Sequence, residues 1–140
     1  MSTFTISTEK SKLDIETIHD FLSNRSYWAN GRRLETIRDS IDHSLCFGVY
    51  DEKNKMVGFA RVVTDYAVFA YIMDIFILED YRTLGLGKKL MDYIMNYPIL
   101  KKMKRVMLGT KDAHKLYEKF GFKILAEPEK FMEIVNKSHT

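Results

Sequence analysis

Two glycines and two cationic side chains occur together in the stretch 82–88, which reads Arg-Thr-Leu-Gly-Leu-Gly-Lys. Gly85 and Gly87 lack a Cβ atom, so an anion can approach their backbone closely. Arg82 and Lys88 add fixed positive charge. If a helix begins here, its first-turn N–H groups and its dipole also attract anions. The pattern indicates a site for a phosphate or pyrophosphate, with a tight turn that binds nothing as the alternative.

Two common glycine-rich phosphate loops do not fit this stretch. A dinucleotide-binding fingerprint needs a third glycine three residues after the pair, and that position is Leu90. A P-loop needs Gly-Lys followed by Ser or Thr, and the chain contains no such sequence. The pattern that remains is Arg-x-x-Gly-x-Gly.

The segments on either side of the glycines predict a strand that turns into a helix at this point. Residues 71–78 are apolar, β-branched or aromatic apart from Asp74, and their length and composition are typical of a buried strand. After the turn, apolar residues recur every three or four positions and predict an amphipathic helix that ends at Pro98. These periodic residues are Leu86, Leu90, Ile94 and Tyr97.

Three further helices are predicted from local signals. Ser11–Asp14 resembles a capping box, so we place a helix start there and its end at residues 23–26. A short helix is predicted from 34 to about 40. Another is predicted over 112–120, with Gly121 at its C-terminal end.

The predicted strands complete an α+β pattern over residues 1–140, which we expect to form one domain. A charged turn between two of them predicts an antiparallel hairpin. The expected fold has three layers, with a mixed, mostly antiparallel central sheet and helices on both faces. The strands are predicted at 4–7, 45–50, 56–64, 71–78, 106–110, 123–126 and 131–135.

The composition is that of an ordinary globular protein, with 46% hydrophobic and 29% charged residues. The net charge of +3 suits a ligand that carries phosphates but is too small to indicate nucleic-acid binding. A basic cluster near position 100 is interpreted as a solvated face, with a contact to a ligand phosphate as the alternative. The cluster comprises Lys101, Lys102, Lys104 and Arg105.

Cysteine and histidine usage predicts neither a disulfide nor a metal site. Cys46 is the single cysteine and is interpreted as a core residue, and the four histidines have no metal-ligand spacing. The N-terminus is polar and no apolar run is long enough to span a membrane. We therefore expect a cytoplasmic protein without a metal and without membrane or nucleic-acid partners.

Two motifs occur in order along the chain. Arg82-x-x-Gly85-x-Gly87 follows the fourth strand, and Ala113-x-x-Leu116-Tyr117-x-x-x-Gly121-Phe122 follows the fifth. Together they resemble the motifs of the GCN5-related N-acetyltransferase (GNAT) superfamily. The resemblance covers nearly the whole chain. It implies acetyl-CoA as co-substrate between the fourth and fifth strands, and transfer of the acetyl group to a primary amine by direct attack on the thioester.

The resemblance also implies which residues bind acetyl-CoA. The pantetheine arm pairs with the backbone of the fourth strand, and the pyrophosphate lies on the amides of the glycine turn beside Arg82. One strand amide polarises the thioester carbonyl. The implied residues are Ile75, Phe76, Ile77, Arg82, Thr83, Leu84, Gly85, Leu86, Gly87 and Lys88.

Tyr117 matches the tyrosine that commonly protonates the departing thiolate in this family, and the alternative is an aromatic residue that only packs. Asp74 is the one acid within the central strand, so it is either the general base or a partner in a salt bridge. Glu79, His114 and a chain of water molecules are weaker candidates for the base. Asp112 stands where many relatives have Asn, which puts an amide contact to CoA in doubt.

Tyr27, Trp28 and Arg32 lie in a predicted loop, where they form either the rim of an acceptor pocket or a cap on the core. The acceptor is expected to be a small-molecule or peptide amine. A non-catalytic acyl-CoA sensor is the alternative function, and a homodimer is left open.

Overall fold

The computed structural model describes residues 3–137 and contains one five-stranded sheet. The strands follow one another across the sheet in chain order, and neighbours are antiparallel except β4 and β5, which are parallel. β2 and β3 begin and end as predicted, because the Asp51 carboxylate fixes the turn between them by accepting from the backbone of Lys53 and Lys55. The strands are β1 Thr5–Ser7, β2 Leu45–Tyr50, β3 Met56–Thr64, β4 Phe69–Ile77 and β5 Arg105–Leu108.

Helices cover both faces of the sheet. Successive strand residues point to opposite faces, so each face carries its own cluster of buried side chains. One cluster joins the first two helices to Phe59 and Phe76, and the other joins the third and fourth helices to Phe47 and Ile72. This arrangement confirms the predicted three-layer α+β fold. The helices are α1 Ile15–Arg25, α2 Leu34–Asp42, α3 Leu86–Asn96, α4 Pro98–Lys101 and α5 His114–Glu118.

A bulge bends β4 at Asp74. The register between β3 and β4 shifts between Phe59 and Arg61. Asp74 itself has a φ of 55°, a left-handed value that is uncommon for a residue with a Cβ atom. β4 pairs with β5 only as far as Ile72, and beyond the bulge the two strands separate. Among residues 3–137, no strand therefore pairs with the backbone of residues 75–77 on the β5 side.

α1 begins at a different capping residue from the one that the sequence predicted. Asp14, not Ser11, is the N-cap residue, and its carboxylate accepts hydrogen bonds from the Thr17 N–H at 3.1 Å and from the Thr17 hydroxyl at 2.7 Å. Ser11 lies in a short 3₁₀ helix instead. The prediction chose the wrong one of two capping residues. The far end is as predicted, because α1 ends at Arg25, within residues 23–26.

Pro98 and Gly121, the two residues predicted to end helices, lie at or just beyond the ends of α3 and α5. Pro98 ends α3 and is also the first residue of α4, where its missing N–H is not needed. Gly121 follows α5 with a φ of 95°. α5 itself is shorter than predicted, because Asp112 and Ala113 precede it and it ends at Glu118.

The two final strands predicted at 123–126 and 131–135 do not form. Residues 128–130 make a 3₁₀ helix, and the segments around it pair with no strand in the described residues. Their composition is strand-like, but a strand forms only against the backbone of a neighbour. Within the described residues these two segments lack such a neighbour, so they remain without strand structure.

Candidate active site

A cleft of about 600 Å³ opens where β4 separates from β5, and we refer to it as the strand cleft. The β4 backbone after the bulge forms one wall, and the cleft reaches the glycine turn before α3. It brings together seven of the residues predicted to bind acetyl-CoA. The lining residues are Phe21, Arg25, Tyr27, Trp28, Ile75, Phe76, Ile77, Arg82, Gly85, Leu86, Gly87 and Asp112.

The glycine turn presents free backbone to this cleft. Gly85 is the N-cap of α3 and has a φ of 76°, a value that glycine adopts at no steric cost. A Cβ atom added at Gly87 would meet no atom within 4 Å, so open space lies over that residue. The first-turn amides of α3 have no intrahelical acceptor, and the helix dipole places partial positive charge at this end. The turn has the geometry of an anion site.

Two arginines add charge beside the turn. The Arg82 Nε donates to the Ile77 carbonyl at 3.1 Å, which ties the turn to the end of β4. The guanidinium of Arg82 lies 5.9 Å from the Phe21 ring centroid, and that of Arg25 lies 5.0 Å from the same ring. Arg25 also pairs with Glu79 at 2.9 Å. Both guanidinium groups thus lie near the Phe21 ring, at the end of the strand cleft that reaches the glycine turn.

Asp74 is the centre of a buried ion-pair cluster. Its side chain is 1% exposed, and its Oδ2 accepts from Arg61 Nε and from Arg32 Nη1, both at 2.9 Å. Its Oδ1 accepts from Trp28 Nε1 at 2.9 Å. The salt bridge that the sequence left open as the alternative is present. These three bonds also hold the bulged backbone at Asp74 and fix the loop that carries Trp28 and Arg32.

A second cavity, of about 320 Å³, adjoins the strand cleft, and we refer to it as the inner cavity. The two spaces share four lining residues, Tyr27, Trp28, Ile75 and Asp112. All three predicted acceptor residues and both predicted catalytic residues line it. The full lining is Tyr27, Trp28, Arg32, Tyr71, Ile72, Met73, Asp74, Ile75, Leu108, Gly109, Thr110, Asp112, Ala113 and Tyr117.

Tyr117 reaches this cavity from α5. Its ring is half-buried and packs edge-on against Phe122 at 6.2 Å between centroids. Burial, and secondarily the nearby Tyr27 hydroxyl, raise the pKa of Tyr117 above its ordinary value. The Tyr27 hydroxyl accepts from the Lys111 backbone at 3.3 Å, which links the two loops that flank the cavity. Tyr117 is therefore protonated at neutral pH and available as a proton donor.

Three residues of the predicted phosphate site do not line the strand cleft. Thr83, Leu84 and Lys88 are exposed at the turn, and the cleft wall there is formed by Gly85, Leu86 and Gly87.

The other residues considered for catalysis lie elsewhere. Glu79 pairs with Arg25, and His114 lines a different groove on the far side of α5. Cys46 is buried, and burial raises the pKa of its thiol to about 11, which disfavours a nucleophilic thiolate.

Sequence reasoning missed Phe21, Arg25 and Arg61. The helical pattern of α1 gives no sign that its C-terminal end borders a cleft formed far along the chain. Arg61 did carry a signal, because it is the one charged residue in the apolar strand 56–64 and its neighbour strand carries the one acid. A lone cation and a lone anion in adjacent buried strands indicate an ion pair.

Residues 3–137 offer neither a metal site nor a membrane-spanning helix. Within that range no group of three or more His, Cys, Asp or Glu side chains could hold a metal ion. No helix in the same range is long and apolar enough to cross a membrane.

Comparison with known proteins relates this geometry to acetyltransferases. A chain of Xanthomonas campestris pv. campestris, described as a GNAT-family acetyltransferase, is 42% identical with a TM-score of 0.92, over 96% of this chain and 94% of that one. A GNAT-family acetyltransferase of Streptococcus pneumoniae TIGR4 is 26% identical with a TM-score of 0.69, over 99% and 100% of the two chains. A Gibberella zeae protein named as an acetyltransferase is 26% identical over an alignment 138 positions long, which covers 83% of this chain and 76% of that one.

The fold, with a cleft where β4 separates from β5, is shared with these acetyltransferases, and the protein is an acyltransferase. Residues 15–122 match the model of the acetyltransferase (GNAT) family, and the chain belongs to that family. The resemblance found in the two motifs is confirmed. An enzyme is thereby favoured over a non-catalytic acyl-CoA sensor.

Proposed function

We propose that the protein transfers an acetyl group from acetyl-CoA to a primary amine of a small molecule or peptide. The observation that carries the proposal is a pair of adjoining spaces, which together extend from the glycine turn along the unpaired edge of β4 to Tyr117. Together they offer an anion site, a backbone edge and a proton donor in the order in which acetyl-CoA requires them.

The residues present fit acetyl-CoA. The amides of the glycine turn and Arg82 would hold the pyrophosphate, as a helix N-terminus does for phosphates generally. The unpaired backbone of residues 75–77 would bind the pantetheine arm as an added strand. The volume of the strand cleft lies in the range of about 300–1,000 Å³ that is usual for small-ligand sites.

The reaction needs few groups from the protein. The amine nitrogen attacks the thioester carbonyl carbon, the C–N bond forms and the C–S bond breaks. We assign Tyr117 as the acid whose hydroxyl proton goes to the departing sulfur. A β4 backbone N–H near Ile75 would stabilise the charge on the carbonyl oxygen. The amine reacts as the free base, keeps one of its two protons in the product amide and would lose the other to water. The Tyr117 phenolate would then take up a proton from water, which restores the acid.

We assign Asp74 a positioning role in place of general base. Its oxygens already accept from two guanidinium groups and an indole, so taking a proton would disrupt two buried ion pairs. The same bonds orient Trp28 and Arg32 on one wall of the inner cavity. In this role Asp74 shapes the acceptor site and maintains the bulge that separates β4 from β5.

Release of CoA thiol tests the proposed reaction. Acetyl-CoA is incubated with the protein and, separately, with arylalkylamines, polyamines, aminoglycosides, amino acids and short peptides. We expect thiol release above background with at least one class, and mass spectrometry should find that amine acetylated. Absence of release with every class would contradict the proposal of an amine acceptor.

Gly87→Leu is predicted to weaken acetyl-CoA binding by about 10- to 100-fold. The added side chain would fill the open space at the start of α3 and keep the pyrophosphate away from the backbone amides. The hydrogen bonds lost would be charge-assisted and worth about 1.5–3 kcal/mol each. Folding should be retained, since Leu is a better helix former than Gly by about 1 kcal/mol. Titration calorimetry measures the affinity, and thermal unfolding checks the fold.

The matched control for this variant is Asp92→Leu, which adds the same side chain to an exposed position of α3. It should bind acetyl-CoA as the unmodified protein does. Equal affinity of the Gly87→Leu variant and the control would show that no phosphate lies over Gly87.

A further inference from the structure

The ion-pair cluster around Asp74 carries more positive than negative charge. Its one carboxylate belongs to Asp74, and the guanidinium groups of Arg32 and Arg61 both donate to the Oδ2 of that carboxylate at 2.9 Å. Within residues 3–137, no other carboxylate forms an ion pair with either arginine. The cluster is therefore left with a single excess positive charge. An unbalanced charge in a protein interior is costly, so a ligand that brings a negative charge to this place would be stabilised there.

The two arginines differ in how many of their donors are used. Arg61 donates to Asp74 from Nε. Its Nη1 donates to the Ser44 hydroxyl at 3.0 Å, and its Nη2 donates to the Met73 sulfur at 3.2 Å. The Arg32 side chain makes one hydrogen bond, from Nη1 to Asp74. Within residues 3–137, the Nε and Nη2 donors of Arg32 thus have no acceptor.

The unused donors of Arg32 belong to a side chain that lines the inner cavity. This side chain is 17% exposed, whereas that of Arg61 is 9% exposed and is not part of the lining. Asp74 also lines the cavity, but its two oxygens already accept three hydrogen bonds. The excess charge is therefore available to a molecule in the inner cavity. A guanidinium matches the planar geometry of a carboxylate and can donate to both of its oxygens.

The rest of the lining indicates what else this molecule carries. Asp112 is an exposed acid that lines both the inner cavity and the strand cleft, so it lies on the side of the inner cavity where the two spaces adjoin. Its carboxylate would attract an ammonium group to the thioester side. Apolar and aromatic side chains form most of the remaining wall and suit an apolar body. They include Trp28, Tyr71, Ile72, Met73, Ile75 and Leu108.

We propose that the acceptor is an amino acid with an apolar side chain and that Arg32 binds its carboxylate, an inference that rests on the proposed function. The amino group would approach the thioester past Asp112 and give up a proton to water before it attacks. One carboxylate balances the one excess charge of the cluster. Polyamines and aminoglycosides carry several positive charges and would add to that excess, so we expect them to be poor acceptors.

Binding without turnover tests the carboxylate contact. Trp28 is the single tryptophan of the chain and lines the inner cavity, so its fluorescence reports on binding there. The N-acetyl derivatives of leucine, methionine and phenylalanine are each titrated as the free acid and as the neutral carboxamide, with and without CoA. We expect the free acid to bind about 10- to 100-fold more tightly, as a charge-assisted contact allows. Equal affinity for the two forms, or no binding of any free acid at millimolar concentration, would overturn the proposal.

Arg32→Gln tests which residue binds the carboxylate. The substitution removes the excess charge and keeps the pair between Asp74 and Arg61, so the variant should fold, as thermal unfolding can check. Its affinity for the free acids should fall by about 10- to 100-fold, and its affinity for the carboxamides should change little. Arg33→Gln removes the same charge from an exposed neighbour and is the control. A preference for the acid that survives in Arg32→Gln would overturn the assignment, and the comparison in the unmodified protein does not depend on the variant.

Thiol release separates this inference from the proposed function. Phenylalanine is compared with phenethylamine, which lacks the carboxylate, and we expect kcat/KM to be about 10- to 100-fold higher for the amino acid. Equal kcat/KM for the two would leave the protein an acetyltransferase of amines and overturn the role of Arg32. If no amine is acetylated, the proposed function fails, and the titrations with free acids still decide whether Arg32 binds a carboxylate.

Discussion

Tyr117→Phe should lower kcat by about 10²- to 10⁴-fold, the usual contribution of a general acid. The departing thiolate would lose its proton donor, whereas the ring and its packing on Phe122 are retained. The affinity for acetyl-CoA, measured by titration, should change little, because the hydroxyl acts on the leaving group and not on the phosphates. Steady-state thiol release with the best acceptor gives kcat and KM.

The pH dependence separates this role from simple packing. Since burial raises the pKa of Tyr117, its acid form persists above the ordinary tyrosine value of about 10, and the loss of kcat at high pH should begin above that value. The Tyr117→Phe variant should not show this loss of kcat at high pH. Tyr93→Phe, which removes a hydroxyl from an exposed face of α3, is the control. An unchanged kcat for Tyr117→Phe would remove this residue from the mechanism.

Asp74→Asn should lower the free energy of unfolding by about 3–5 kcal/mol, because the substitution leaves the buried Arg61 without its counter-charge. Asn tolerates the positive φ at this position, so the substitution removes the negative charge without adding backbone strain. Urea unfolding followed by fluorescence measures the loss. Trp28 donates to Asp74 and reports on the same cluster.

Asp20→Asn removes an exposed carboxylate paired with Arg25 at 3.4 Å, and it should change stability by no more than about 1 kcal/mol. A general base would behave differently from a positioning residue. If Asp74→Asn folded as stably as the unmodified protein and lost turnover at every pH, Asp74 would be the base and the assignment given above would be wrong.

Local sequence signals were sufficient to predict the glycine turn and the β2–β3 hairpin. Gly85 and Gly87 between an apolar strand and a periodic helix predict the junction that is observed, and Asp51 fixes the β2–β3 turn through its own backbone neighbours. These features depend on residues close in sequence. Their prediction therefore needed no knowledge of the tertiary fold.

Features that depend on distant residues were not predictable in the same way. The bulge at Asp74 is held by Arg32 and Arg61 from two other elements, and the strand cleft borders on Phe21 of α1. The strand-like composition of residues 131–135 was recognised from the sequence. Whether that segment pairs is decided by a neighbouring backbone, and within residues 3–137 no strand pairs with it.

Direct titration of the protein with acetyl-CoA tests the central claim most simply. The account predicts one molecule bound per chain, with an affinity in the range of about 1 μM to 1 mM that is usual for enzyme substrates. Binding should weaken for the Gly87→Leu variant and be unchanged for Asp92→Leu. If acetyl-CoA failed to bind at millimolar concentration, or bound both variants equally well, the strand cleft and its glycine turn would not be the acetyl-CoA site.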